Sequence, residues 1–190
     1  MAKIGMSNVK YSKITVGTDA SGNDTETYAA AKPFAKAISA TSSVNTAKVK
    51  LYADNGVAEM ANEFVSGQLT FNGDDIEDSV EADIAGAEMD PESGAFVNKD
   101  TDQPQYVRFG FIIARQKNNV RQYRAVIFPK VMFDVPADDY ETKGETIVFK
   151  STTVSAEIMR NKDHAWRIKS AWTTEEAAMT FLDENIAPGA

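Results

Sequence analysis

The sequence predicts a mainly β protein, α+β by class: a two-sheet antiparallel β-sandwich or barrel with a flanking mid-chain helix and a C-terminal helix. Three observations carry that reading. Most apolar stretches alternate with period two, as in "YVRFGFIIAR", where Val107, Phe109, Phe111 and Ile113 share a face. Clusters of Gly, Pro, Asn, Asp and Ser separate these stretches. Only two segments, near 73–90 and 173–187, change to a helical period.

The elements follow in order along a single domain, 1–190. A polar arm leads into a short strand, "VKYSKITV". Residues 17–33, rich in Gly, Ser, Thr and Asp and closed by Pro33, read as a flexible polar loop. "FAKAISATSSVN" and "AKVKLYAD" read as two strands. Asp54, Asn55 and Gly56 form the next turn, with Asn55-Gly56 as its central pair, because a type I′ turn needs positive φ at both central positions. "VAEMANEFVSGQLTF" continues as strand, with a bulge expected at Ser66-Gly67.

In "GDDIEDSVEADIAGAEMD", Ile76, Val80 and Ile84 recur every four residues and make a narrow helical stripe. Asp74 with Glu77 resembles a capping box, and Gly86 is the expected stop. "DPESGAFVNKDTDQPQ" is a second polar loop. "YVRFGFIIAR" and "VRQYRAVIF" make a long hairpin turning at Asn118-Asn119, the second strand placing Tyr123, Ala125 and Ile127 on one face and running on past Pro129. "GETIVFKSTTVSAEIMR" is a long strand whose apolar phase moves from Ile147 and Phe149 to Val154, Ala156 and Ile158, so a bulge or bend is expected between Lys150 and Thr153. "HAWRIKSAW" is a further strand. The helix at about 173–186 opens on a Thr173–Glu176 capping box, turns Ala177, Phe181 and Leu182 inward, and ends at Pro188-Gly189.

Charge and composition narrow the function. The formal net charge is −8, against a general nucleic-acid binder. Asp54 to Gln103 holds 14 acids and one base, Lys99, whereas Tyr106 to Val131 holds six bases and no acid. Such a split either neutralises within one subunit or meets across a subunit interface. On the second reading Arg121 and Arg124 are candidate contacts for Asp74 and Asp75 of a neighbour. There is no Cys, hence no thiol nucleophile and no Cys-based zinc site. The N-terminus lacks an apolar signal core, and no apolar stretch is long enough to span a bilayer, so a soluble protein made inside the cell is expected.

Each chemical motif has a plainer structural reading. Tyr52-Ala53-Asp54-Asn55 lies one residue from a polymerase Tyr-x-Asp-Asp turn, but two-metal chemistry needs paired carboxylates and the second position is Asn55. His164, the only His, has no evident nucleophile to serve and reads as a surface residue where a strand starts. "DDIED" lacks the spacing of a calcium loop, and acids at a helix start suit the dipole and the cap. Tyr123 between Arg121 and Arg124 fits a half-exposed strand as well as it fits a base-stacking surface. No cofactor motif is present, and the expectation is a protein that is not an enzyme.

An ordered set of pieces carries a resemblance: "LYADNGVAE", "FVSGQLTF", the acidic helix "DDIEDSVEADIAG", "PQYVRFGFI", "RQYRAVIFPKVMFDVP" and "TKGETIVFKSTTV". Together, from about Lys48 to Met159, they resemble the major tail protein, or tail tube protein, of long non-contractile-tailed phages. The most specific pieces are "LYADNGVAE" and "FPKVMF"; residues 17–33 match only in kind. The resemblance implies a structural virion protein whose sheets join those of its neighbours in rings, typically hexamers. The rings stack into a tube around a tape-measure protein, with tail terminator and tip proteins as further partners. DNA would pass through the lumen during ejection without specific binding. The implied location is the virion tail, after synthesis in the host cytoplasm, with no cofactor and no membrane partner. An acidic lumen would repel phosphate and let DNA slide. The runner-up is a monomeric β-sandwich module binding carbohydrate or a host surface, which needs an exposed aromatic platform; Trp166 and Trp172 are the candidates. A hydrolase is a weaker third reading.

Overall fold

The computed structural model describes residues 2–54, 56–90, 92–137, 142 and 150–189. In chain order the elements are β1 (Ala2–Thr18), β2 (Asp24–Tyr28), β3 (Lys32–Pro33), β4 (Ala37–Ala53), β5 (Gly56–Gly73), α1 (Asp78–Ala85), β6 (Glu88–Met89), β7 (Phe96–Val97), β8 (Tyr106–Lys117), β9 (Val120–Phe133), β10 (Thr152–Met159), β11 (Ile168–Trp172) and α2 (Glu175–Ile186). The protein is mainly β with two helices, the class the alternation predicts. Nine strands form one antiparallel sheet with the path β2-β1-β8-β9-β10-β5-β4; β3 pairs with β1, β11 with β9, and β6 with β7 apart from the rest.

The two expected layers are therefore one continuous sheet that doubles over. The fold line is β9, whose first half, Tyr123 to Ile127, pairs with β11 and whose last residues, Lys130 to Phe133, pair with β10. Pro129 sits between those halves, where Val107↔Val131 and Phe109↔Phe128 leave Pro129 and Lys130 facing only Arg108. A bulge tolerates proline, which has no N–H for a ladder. Doubling over is also visible in the core. Strands β5 and β8 are three steps apart on the path, about 14 Å in a flat sheet. The Phe71 and Phe109 rings they carry are 5.6 Å apart. Phe34, just after β3, plugs the space between the layers, with its ring 5.3 Å from Phe71, 5.1 Å from Phe109 and 5.0 Å from Phe133.

Over 107–112 of β8 and 125–129 of β9 both faces are buried, whereas Val120 and Arg121 beside the turn are exposed. Val107, Phe109, Phe111, Val126 and Phe128 face the inter-layer core. Ile112 and Ile127 face the opposite way, onto Ala178, Leu182 and Ile186 of α2. Gly110 lets that helix approach, since a Cβ there would lie 2.7 Å from Leu182 Cδ1. The alternation predicts one buried face per strand; Ile112, Val126 and Phe128 supply the second. Residues 118 and 119 turn the hairpin at φ 51° and 62°, the expected Asn-Asn turn.

Several local expectations are corrected. The polar arm and first strand are one 17-residue strand, bulged at Asn8 (φ 54°) and Val9, where the register to β8 slips between Ser7 and Lys10. Residues 17–33 are not wholly loop: β2 pairs with Ile14 to Thr18, and β3 pairs with Lys10 and Tyr11. What holds β2 down is polar. The Glu26 side chain, 2% exposed, accepts from Lys130 Nζ at 3.2 Å and from Tyr28 Oη at 3.1 Å, and the Arg108 guanidinium lies 5.2 Å over the Tyr28 ring. The expected strands on either side of Thr46 are one 17-residue strand. The bulge in β5 falls on Val65, one residue before Ser66.

Both capping boxes shift. Glu77 is the N-cap of α1 and makes no side-chain cap bond. Asp74 instead accepts from the Lys36 and Asp75 backbone N–H groups at 3.0 and 2.9 Å, closing the end of the β4–β5 ladder. The stripe Ile76, Val80 and Ile84 is buried, and Gly86 ends the helix at φ 75° as expected. Thr174, not Thr173, caps α2, accepting from Ala177 N at 3.3 Å. Val154, Ala156 and Ile158 are buried as their phase requires. Lys150 and Ser151 lie outside any strand, and Ile147 and Phe149 lie outside the described residues.

Candidate functional site

Strands β4 and β5 pair from Ala37↔Gly73 to Ala53↔Gly56. Their proximal ends belong to the body: Leu69 and Phe71 are fully buried, and buried Gly67 lets Ser43 and Ile158 close in around it. Beyond that root, every described side chain from Asn45 to Glu63 is exposed. The hairpin leaves the body as an arm, about nine residues or 30 Å long. Phe64 clamps its root by stacking on Trp166 at 4.9 Å, and Arg160 donates to the Phe64 carbonyl. Val49, Leu51, Tyr52, Val57, Met60 and Val65 are each at least half exposed.

At the arm's tip, Ala53 pairs with Gly56 and Asp54 has φ 50°. The central pair of the turn is thus 54–55, one residue earlier than Asn55-Gly56; Gly56 begins β5 and Asn55 lies outside the described residues. No group of three His, Asp or Glu side chains among the described residues could hold a metal ion.

Register gives the arm two unlike faces. From Thr46↔Phe64 to Leu51↔Glu59 the ladder is regular, so opposed residues share a face and neighbours along a strand alternate. One face carries Ala47, Val49, Leu51, Glu59, Ala61 and Glu63. The other carries Thr46, Lys48, Lys50, Met60, Asn62 and Phe64. Both faces are part apolar; one is acidic and the other basic.

A second feature lies where the layers open. A cleft of about 480 Å³ separates Ile38–Ser42 of β4 from the core-facing side of β1, β8, β9 and β11. Deeper in, that side is apolar: Phe111, Val126 and Phe128. Toward the mouth the same phase becomes cationic, with Lys3, Arg115, Arg124, Arg167 and Lys169 and no acid on the lining. None of the five makes an ion pair among the described residues. Arg167 lies 4.3 Å over the Trp166 ring, linking the cleft to the arm's root. Desolvation, and then the charges of Arg167, Arg124, Lys3 and Arg115, lower the Lys169 pKa from its ordinary value.

The expected charge contacts divide. Arg124 lines the basic cleft, whereas Arg121 pairs with Gln116 near the β8–β9 turn and is absent from the lining. Asp74 and Asp75 line two other depressions, one shared with Met6–Lys10 and one with Pro136, Ala137 and Ser151. Tyr123 packs with Trp172 against the α2 cluster, so no aromatic platform forms there. Trp166 is taken up by Phe64 and Arg167, and Trp172 lies 5.6 Å from Phe181. His164 is exposed in a turn before β11 at φ 61°, its N–H donating to Asn161 O at 3.0 Å. Sequence reasoning missed Lys3, Arg115, Arg167 and Lys169. One signal was available: Arg115 continues the phase of Phe109, Phe111 and Ile113, so it points inward.

Comparison with family models gives no match, and comparison with curated proteins gives none.

Proposed function

We propose that the chain is a structural virion protein that self-assembles into stacked rings forming a phage tail tube, the conduit for DNA ejection. The arm is the observation that carries the reading. A two-stranded hairpin with no layer against it is marginally stable in water. This one also exposes Val49, Leu51, Tyr52 and Met60, surface that a monomer gains nothing by presenting. In a ring or a stack, the neighbour supplies the missing layer. The open sheet supports the same reading. Its path ends on β4, a 17-residue edge with one side of its backbone unpaired among the described residues, and long open edges are templates for pairing between chains. The tail-tube assignment itself comes from the sequence resemblance, and the net charge of −8 suits a conduit to which DNA does not adhere.

Electron microscopy of concentrated purified protein tests the proposal. Rings or hollow tubes are expected. A chain that stays monomeric at every concentration and salt, by sedimentation and by microscopy, would overturn it.

A further inference from the structure

The basic cleft is unusual for where its charges point. Cations on an outward strand face are simply solvated. Here Arg115, Arg124 and Lys169 occupy core-facing positions, and Ile38–Ser42 of β4 stands across the gap from them. Five like charges lining a gap between layers repel one another, and the low Lys169 pKa registers that repulsion together with partial burial. Such a cluster is stabilised when an anion enters. The apolar floor of Met6, Phe111, Ile113 and Val126 asks for apolar contact from the same guest. A bare phosphate backbone offers charge without that contact.

This chain carries a surface of the matching kind. On the arm's acidic face, Glu59 and Glu63 flank Val49, Leu51 and Ala61. All are exposed, and neither glutamate has an ion-pair partner among the described residues. We propose that the Glu59/Glu63 face of one copy's β4–β5 arm docks in the cleft of a second copy, its carboxylates meeting Arg115, Arg124 and Lys169 and its Val49 and Leu51 covering the apolar floor. The inference rests on the reading of the chain as self-assembling and names the contact. Because arm and cleft are different patches of one chain, the contact is head-to-tail and propagates from copy to copy. The basic face of the arm, with Lys48 and Lys50, is left outward.

Charge reversal with rescue tests it. Arg115→Glu with Lys169→Glu reverses the cleft, and Glu59→Lys with Glu63→Lys reverses the arm. Each double variant is expected to raise the concentration needed for assembly about tenfold or more, since like charges then face each other. A chain carrying all four changes is expected to recover most of the loss, and thermal melting of each monomer checks that it folds. The chain has no Cys, so a copy with Leu51→Cys mixed with a copy with Ser42→Cys gives a second readout that does not depend on the charge variants. A disulfide-linked pair is expected to form from the mixture under mild oxidation. If wild-type protein assembles but the fourfold variant does no better than the doubles and no cross-link forms, the docking inference fails while self-assembly stands. If wild-type protein never assembles, both fail. If the cleft variant loses binding to a short DNA duplex while assembly is unchanged, the cleft is a phosphate site and the inference is wrong.

Discussion

The β8–β9 and β4–β5 hairpins obey the same local rules and end in opposite circumstances. Each joins long antiparallel strands through a two-residue turn with an Asx residue at positive φ. The first is buried on both faces over 107–112 and 125–129, between the inter-layer core and α2. The second is buried only at its root, and every described side chain from residue 45 to residue 63 is exposed. Propensity and turn chemistry therefore do not separate the two; the surface against each strand pair does. For β8–β9 that surface is supplied by this chain. For the arm no described residue supplies it: Val49, Leu51 and Met60 stay in water, and in the assembly proposed above a second copy covers them.

The sharpest way to break this contrast is to injure each hairpin and watch different readouts. Gly110→Leu, in β8, drives a side chain into Leu182 and Ile186, and no rotation of β8 relieves it because the other face is packed too. A loss of about 3 kcal/mol in monomer stability is expected by denaturant unfolding. Leu51→Asp, on the arm, should change monomer stability by less than about 0.5 kcal/mol, as an exposed site does. It should nevertheless abolish assembly in sedimentation. A Leu51→Asp monomer that melts well below wild type would mean the arm is packed against its own body.

Acid should loosen the body before it touches the arm's pairing. Asp83 on α1 accepts from Tyr11 Oη and Lys13 Nζ, each at 2.8 Å, and from Lys32 Nζ at 2.7 Å. Burial opposes its ionisation, but the bonds from Lys13, Lys32 and Tyr11 prevail and lower its pKa. A carboxylate with a depressed folded pKa adds stability that is full above its unfolded value, about 4, and is lost as pH falls through the folded value. Asp83→Asn should cost about 2 kcal/mol near neutral pH and flatten the acid limb of the stability curve. An unchanged acid limb, followed by thermal melting from pH 6 downward, would show that the three bonds contribute nothing net.

Much of the body was legible in the sequence. The stripe Ile76, Val80, Ile84, the Gly86 stop and the Asn118-Asn119 turn are local features, and local chemistry dictates them. What escaped depends on chain segments far apart. Nothing near Ile112 says that α2 will cover it. Nothing near Glu26 says that Lys130, over a hundred residues later, will hold β2 in place. Asp74 could cap a helix or close a ladder, and Lys36 decides the matter. The cleft was missed for the same reason. Arg124 was singled out for its place in a basic run, yet its role follows from phase: the core face of β8, β9 and β11 continues past the apolar residues and turns cationic at the mouth.

The smallest test uses the turns themselves. Asn118 and Asp54 hold nearly the same positive φ, 51° and 50°. A β-branched residue at either position brings Cβ against the following carbonyl oxygen and costs about 1–2 kcal/mol locally. In β8–β9 the rungs beside the turn are exposed too, at Val120 and Arg121, but 122–124 are half-buried and the core begins at Ala125, so fraying is confined to a rung or two before burial is lost. Asn118→Val should therefore lower global stability by a measurable part of that amount. At the arm's tip, where the last rungs are Tyr52↔Val57 and Ala53↔Gly56, Tyr52, Gly56 and Val57 are exposed. There the strained turn can fray, and fraying costs less than keeping the strain. Asp54→Val is expected to leave the melting temperature of the monomer unchanged while amide hydrogen exchange accelerates across the arm. The same substitution should slow assembly, because a frayed tip has to be ordered again when a neighbour covers it. Equal melting losses from the two variants would show that the arm folds as one cooperative unit with the body.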